Sequence, residues 1–367
     1  MSPTRLLRLA SSARRADGTA PLQNPSCSRS VLKPVSFSRG ARCLALLGCL
    51  LGAIGLSLPA ATQAQTLTKV VFGTNWFAQA EHGGFYQAMA EGTYRKAGLE
   101  VEVRMGGPQV NGLQLLLAGQ MDLFMGYDIQ VLQAREQGLP LVTLAASFQK
   151  DPAVIIAHPD VTRIDELRSR PIYISAASNT TFWPWLRTVH GFTDDQKRPY
   201  AFSVQPFLVD KRSATQGYAT SEPWSVEKGG VKPTVFLLAD LGYPPYAQTV
   251  VATDAWLAKN ADVARRFVQA SAEGYRSYLA NPAPGNELIR KANPQMEDGL
   301  LQFGLSRMRQ YGLVTGGDAV RGGIMTMTDA RWKQTIDFLV GAGLLKASTD
   351  ARRAYTLDIV NRVKVLP

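Results

Sequence analysis

Beyond residue 64 the chain has no cysteine; its three cysteines are Cys27, Cys43 and Cys49. For most of the chain this excludes disulfides, a thiol nucleophile and any cysteine-based metal site. Histidine is also scarce, with only His82, His158 and His190. No Walker loop, HExxH, GxSxG or CxxC pattern occurs. Residues 65–367 hold no repeat, no low-complexity tract and no long Lys/Arg block. No metal or organic cofactor is expected.

Charge is unevenly spread. Residues 1–64 carry eight basic residues (Arg5, Arg8, Arg14, Arg15, Arg29, Lys33, Arg39 and Arg42) against one acid, Asp17. Residues 43–58 are an uncharged apolar run of 16, followed by the small residues that lead to Ala64. A spanning helix needs about 20 apolar residues. A basic region, a short apolar core and a small-residue end describe a secretory signal peptide, with cleavage expected after Ala64. An uncleaved anchor is the alternative. Cys49 resembles a lipid-attachment site only faintly, because the apolar run continues past it. The leader accounts for +7 of the net charge of +11, which leaves +4 for the rest. That removes the case for nucleic-acid binding that the high overall charge would make. The expected product is periplasmic, monomeric and not embedded in a membrane.

Residues 69–106 are the most informative stretch. An apolar run (Val70, Val71, Phe72) ends at Gly73. A loop with Asn75, Trp76, Glu81 and His82 follows, then a helical pattern up to Gly98 and a strand alternating Val101 and Val103 with charges. Open α/β sheets bind ligands at the carboxyl ends of their strands, where this loop falls. Further βα units follow. Strands are expected near 121–125, 141–146, 153–157, 171–175, 201–205, 218–221, 234–239 and 248–253. Helices dominate from Asp254 onward. This pattern gives two α/β lobes with chain crossings near Ala157 and Gln248. Lobe I comprises 65–157 and 248–367, and lobe II comprises 158–247. A cleft between such lobes is a favoured ligand site.

The predicted cleft loops are 74–86, 126–128, 175–183 and 222–224. They contain aromatic side chains and the acids Glu81, Asp128 and Glu222, but no Lys or Arg. A small anion usually recruits a guanidinium fork or an ammonium. A flat, nitrogen-rich heterocycle fits better, stacked on aromatic faces and donating hydrogen bonds to a carboxylate such as Glu222. The candidate ligand residues are Asn75, Trp76, His82, Tyr86, Tyr127, Asp128, Ser178, Asn179, Thr180, Thr181, Trp183 and Glu222. Structural alternatives stand beside them. Trp76 and Tyr86 could be lobe core, Asn75 a turn residue and His82 a helix brace. Asp128 could be a helix N-cap, and Ser178 to Thr181 could cap a helix. Glu222 could be a solvated acid.

Several residues carry a family likeness. A strand followed by Asn75, Trp76, His82, Gly84 and Tyr86, and then Gly98 to Val101, resembles the opening of periplasmic solute-binding proteins of the nitrate/taurine/thiamine-precursor type. The helix ending at 117–122, the 164–175 helix–strand pair, Glu222 with Pro223, and the ending 338–345 are similar too. The likeness spans about residues 66–345. It implies a type II periplasmic-binding-protein fold, two open α/β sheets joined by a two-strand hinge. It implies a receptor that delivers a small ligand to an ABC permease and its ATPase. Asn-Trp…His…Tyr looks most like the branch that binds thiamine pyrimidine precursors. Relatives also host riboflavin and small anions. Pyrimidine-synthesis enzymes of this fold carry a cysteine-rich motif, which residues 65–367 lack.

Overall fold

The computed structural model describes residues 66–107, 110–175 and 177–367. The expected signal peptide, residues 1–64, lies outside the described residues. Among the described residues, no helix is long and apolar enough to cross a membrane.

Ten strands are present among the described residues. They are β1 (Thr68–Gly73), β2 (Leu99–Arg104), β3 (Leu123–Gly126), β4 (Leu141–Phe148), β5 (Ala153–Ala157), β6 (Ile172–Ile174), β7 (Lys197–Pro199), β8 (Ala214–Tyr218), β9 (Thr234–Leu237) and β10 (Ala247–Thr253). They form two five-stranded sheets in the orders β2-β1-β3-β10-β4 and β7-β6-β8-β5-β9. β1 runs parallel to β2 and β3, while β10 runs antiparallel to β3 and β4. In the second sheet β6 is parallel to its neighbours and β5 antiparallel to β8 and β9. β5 reads as a continuous apolar run because it is interior and buried along its whole length. β2 keeps the alternation of the sequence, with Glu100, Glu102 and Arg104 on its exposed face.

Three expectations need correction. β5 belongs to the second sheet, so the chain changes lobes in residues 149–152 and not after Ala157. β4 and β5 are both apolar and only four residues apart, so no composition shift marks the crossing. Residues 201–205 are not a strand. β7 ends at Pro199, Phe202 adopts a positive φ of 55°, and a helix runs over Gln205–Val209. Likewise β8 ends at Tyr218, and Glu222 begins the helix Glu222–Lys228, with Pro223 in its first turn.

The helix Gly83–Ala90 packs on the long helix Asp254–Ala280. Its glycines make that contact close. A Cβ on Gly84 would lie 2.2 Å from the Tyr275 ring, and one on Gly274 would lie 2.2 Å from the Gly84 carbonyl oxygen. The Tyr275 hydroxyl then donates to the Glu81 carbonyl at 2.8 Å, which fixes the turn in front of the helix.

Both crossings are anchored by the first lobe. Arg331, on the helix Asp329–Gly341, donates to the Gln149 carbonyl at 3.1 Å and to the Pro244 carbonyl. Its guanidinium lies 5.3 Å from the centre of the Tyr246 ring. The buried Asp128 accepts from the amides of Ile129 (2.7 Å) and Tyr246 (2.8 Å). Asp128 is thus the first residue of the helix Asp128–Glu136, whose N-cap is Tyr127, and its carboxylate braces the second crossing. Arg331→Ala would leave two half-buried carbonyls without a donor, and should lower the unfolding free energy by roughly 2–4 kcal/mol. Urea titration checks this, and a loss under about 0.5 kcal/mol, the range of ordinary surface changes, would remove the clamp role.

Candidate functional site

A cavity of about 660 Å³ lies between the two sheets. Residues from both lobes line it. From the first lobe come Asn75, Trp76, His82, Tyr127 and Asp128. From the second come Ser178, Thr180, Thr181, Tyr200, Phe202 and Glu222. The crossings and the start of β10 add Asp151, Tyr243 and Gln248. None of the described lining residues is Lys or Arg.

The aromatic wall starts at the end of β1. The Trp76 ring meets the Phe202 ring across the cleft, with centroids 4.8 Å apart. Phe202 in turn contacts the Tyr200 ring at 5.6 Å. Tyr127 closes the adjoining side, where the Asn75 side-chain amide donates to its hydroxyl at 3.5 Å.

Glu222 is held by three donors. Its Oε1 accepts from the Tyr200 hydroxyl at 3.0 Å, and its Oε2 from the Tyr218 amide at 2.7 Å and the Ser221 hydroxyl at 2.5 Å. The carboxylate is therefore oriented before any ligand arrives. Ser178 is tied to Ser175 and to Gln216 Oε1, each at 2.8 Å, so its hydroxyl shapes the wall.

Polar atoms without partners gather on this cavity. Asn75 Oδ1, the Tyr243 hydroxyl and Gln248 Oε1 are buried and make no hydrogen bond. Buried polar groups are normally paired, so these atoms leave capacity for another molecule in the cavity. Burial keeps His82 neutral, with its pKa pushed down to about 3. Burial also pushes Asp128 and Asp151 up to about 7.

Three expected ligand residues do not line the cavity. Tyr86 is buried in the first-lobe core, and burial pushes its phenol up to about 12. Trp183 is buried and donates to Asp194 at 2.9 Å, inside its own lobe. Asn179 is exposed and accepts from Lys197 at 2.9 Å. The sequence reading missed Tyr200, Phe202, Asp151, Tyr243 and Gln248. The strand expected at 201–205 hid Phe202. Tyr243 had a visible signal, since it opens the chain-breaking Tyr-Pro-Pro-Tyr.

Residues 79–284 match the family described as NMT1/THI5 like. The chain belongs to that family. It is 25% identical over 312 residues to the riboflavin-binding protein RibY of Chloroflexus aurantiacus, covering 82% of this chain and 89% of the relative. It is 24% identical over 233 residues to a formylaminopyrimidine-binding protein of Halalkalibacterium halodurans, covering 60% and 70%. In structure it is similar to the periplasmic aliphatic sulphonate-binding protein SsuA of Escherichia coli, with a TM-score of 0.60, 15% identity, and coverage of 78% and 91%. The fold is that of the periplasmic binding proteins.

Glu81 stands behind this cavity. It is fully buried and accepts a hydrogen bond from Thr220 of the second lobe. Burial raises its carboxyl from 4.5 to about 7, against the Thr220 hydrogen bond, and the charge of Glu222 adds to the rise. The folded state therefore holds this proton after the unfolded chain has released it. Stability should fall as pH rises from about 4.5 to about 7, and Glu81→Gln should remove on the order of 1–3 kcal/mol of that fall. Chemical denaturation of both forms across that window measures it. Equal slopes would show that Glu81 does not take up the proton.

Proposed function

We propose that the chain is an exported solute-binding receptor for an ABC importer. Its ligand is a small, flat heteroaromatic that bears N–H donors, of the thiamine-pyrimidine-precursor type. The observation that carries this reading is the lining of the cavity. It is rich in acceptors and aromatic faces and has no Lys or Arg among its described residues. A nitrate or sulfonate would meet carboxylates there without a cation to compensate them. An aminopyrimidine would meet the touching Trp76 and Phe202 rings as one aromatic wall and Glu222 at its edge. The ring of His82, held neutral, adds acceptor or donor capacity without charge.

Capture is by lobe closure about the two crossings, and release is to a permease driven by its ATPase. The basic, apolar leader supports export. The relatives named for riboflavin and formylaminopyrimidine both carry heteroaromatic ligands by name. Riboflavin is the second reading. The cavity of about 660 Å³ is roomy for one pyrimidine ring, and the RibY alignment spans more of the chain.

Calorimetry with an aminopyrimidine, riboflavin, nitrate and taurine tests the reading directly. An aminopyrimidine should bind, and Trp76→Ala and Glu222→Gln should each weaken it about tenfold or more, the scale of one lost stacking or charge-assisted contact. Trp183→Phe should leave affinity unchanged. Binding of nitrate or taurine with no response to the heterocycles would overturn the proposal.

A further inference from the structure

Glu222 is not the only acid facing this cavity. Asp151 lies in the first crossing and also lines it. One of its oxygens accepts from the Ala153 amide at 2.8 Å. The backbone thereby sets the carboxylate in place. Gln248, the second residue of β10, and Tyr243, in the return crossing, line the same cavity. Each is about 1% exposed, and Gln248 Oε1 and the Tyr243 hydroxyl have no partner. None of the described lining residues is cationic. Arg331 sits behind this group and donates to the carbonyls of Gln149 and Pro244. An acid, an amide oxygen and a hydroxyl therefore line one cavity with acceptor capacity left over.

This group is close to Glu222 along the chain pairing. Ala153 is the register partner of Tyr218, and the Tyr218 amide holds Glu222. Two carboxylates thus meet one cavity from neighbouring strand ends, each on its own backbone brace.

We propose that Asp151, Gln248 and Tyr243 form a second subsite at the hinge, and that the ligand carries two separate N–H donor groups. One group goes to Glu222 and the other to the hinge subsite. This rests on the aminoheterocycle reading above and narrows it from one amino group to two. Burial raises the Asp151 carboxyl to about 7, and an N–H donor arriving there would stabilise its ionised form and draw it back down. The subsite also links ligand to motion. Its three residues lie on both crossings and on the strand that follows, so a bound N–H group ties together the segments about which the lobes move.

Calorimetry with the full chain compares a monoaminopyrimidine with the positional isomers of diaminopyrimidine. One diamino isomer should bind about tenfold tighter, the scale of one charge-assisted hydrogen bond. Asp151→Asn keeps the oxygen that accepts from Ala153 and should abolish that preference while leaving monoamino affinity within about twofold. Tyr243→Phe removes a hydroxyl that has no partner and should reduce the preference without unfolding risk. Glu222→Gln should weaken both compounds. Monoamino binding with no diamino preference, or an equal loss for both compounds in Asp151→Asn, overturns the subsite and leaves the receptor reading intact. If neither compound binds the unaltered chain, the aminoheterocycle reading fails and the subsite with it.

Discussion

The anchoring of the two crossings is the constraint on which the cavity depends. A two-lobed chain that passes between lobes twice has little backbone there to hold it. In this protein the first lobe supplies the missing order from one helix pair. Arg331 offers its fork to one carbonyl of each crossing, and Asp128 accepts the Tyr246 amide. Gln149 adds side-chain bonds to the carbonyls of Ala146 (3.3 Å) and Thr326 (3.0 Å). A guanidinium suits this position because its donors are rigidly spread and stay charged. The cleft floor is consequently fixed to the first lobe.

That arrangement explains why the cavity tolerates so much unpaired polarity. An unpaired buried polar group costs about 1–3 kcal/mol. Asn75, Tyr243 and Gln248 each carry one such group. The cost is borne by one large apolar core, a smaller second cluster, and the close helix packing made at Gly84 and Gly274. A ligand that satisfies those groups finds them already oriented, and loses less to ordering on arrival. Selectivity follows from sign. With no cation in the described lining, the acceptors and carboxylates support the proposed preference for N–H donors over anions.

Much of the architecture was legible in residue patterns. The alternation in 99–104 and the apolar runs at 70–72 and 153–157 gave strands that the structure contains. The loop after β1 carried its chemistry openly, and Asn75, Trp76 and His82 do line the cavity. Illegible features share a cause, which is dependence on distant partners. β5 looks the same whichever sheet it joins, and its place is decided by pairing with β8 and β9. Phe202 reaches Trp76 only through a positive φ, which a bulky residue rarely adopts and no local signal announces. Trp183 read as a cleft aromatic, yet its indole N–H finds Asp194 within the lobe. Asp128 read as a cap, but its second oxygen serves a residue 118 positions away.

The polar and ring contacts that join the lobes away from the crossings are unequal. Lys228 and Glu297 form an exposed pair at 2.9 Å, and such pairs contribute about 0–1 kcal/mol. Trp76 against Phe202 adds ring contact at the cleft mouth. The bond from Thr220 to Glu81 is buried, but Glu81 gains its place only by taking up a proton near neutrality. None of these is large beside the free energy needed to move a two-state equilibrium decisively, about 5.5 kcal/mol. Under the proposed lobe closure, the balance between open and closed forms therefore rests largely on what bridges the lobes inside the cavity. A molecule that contacts Trp76 from one lobe and Glu222 from the other contributes to closure with both halves of its binding energy. One that reaches a single wall binds without shifting the lobes.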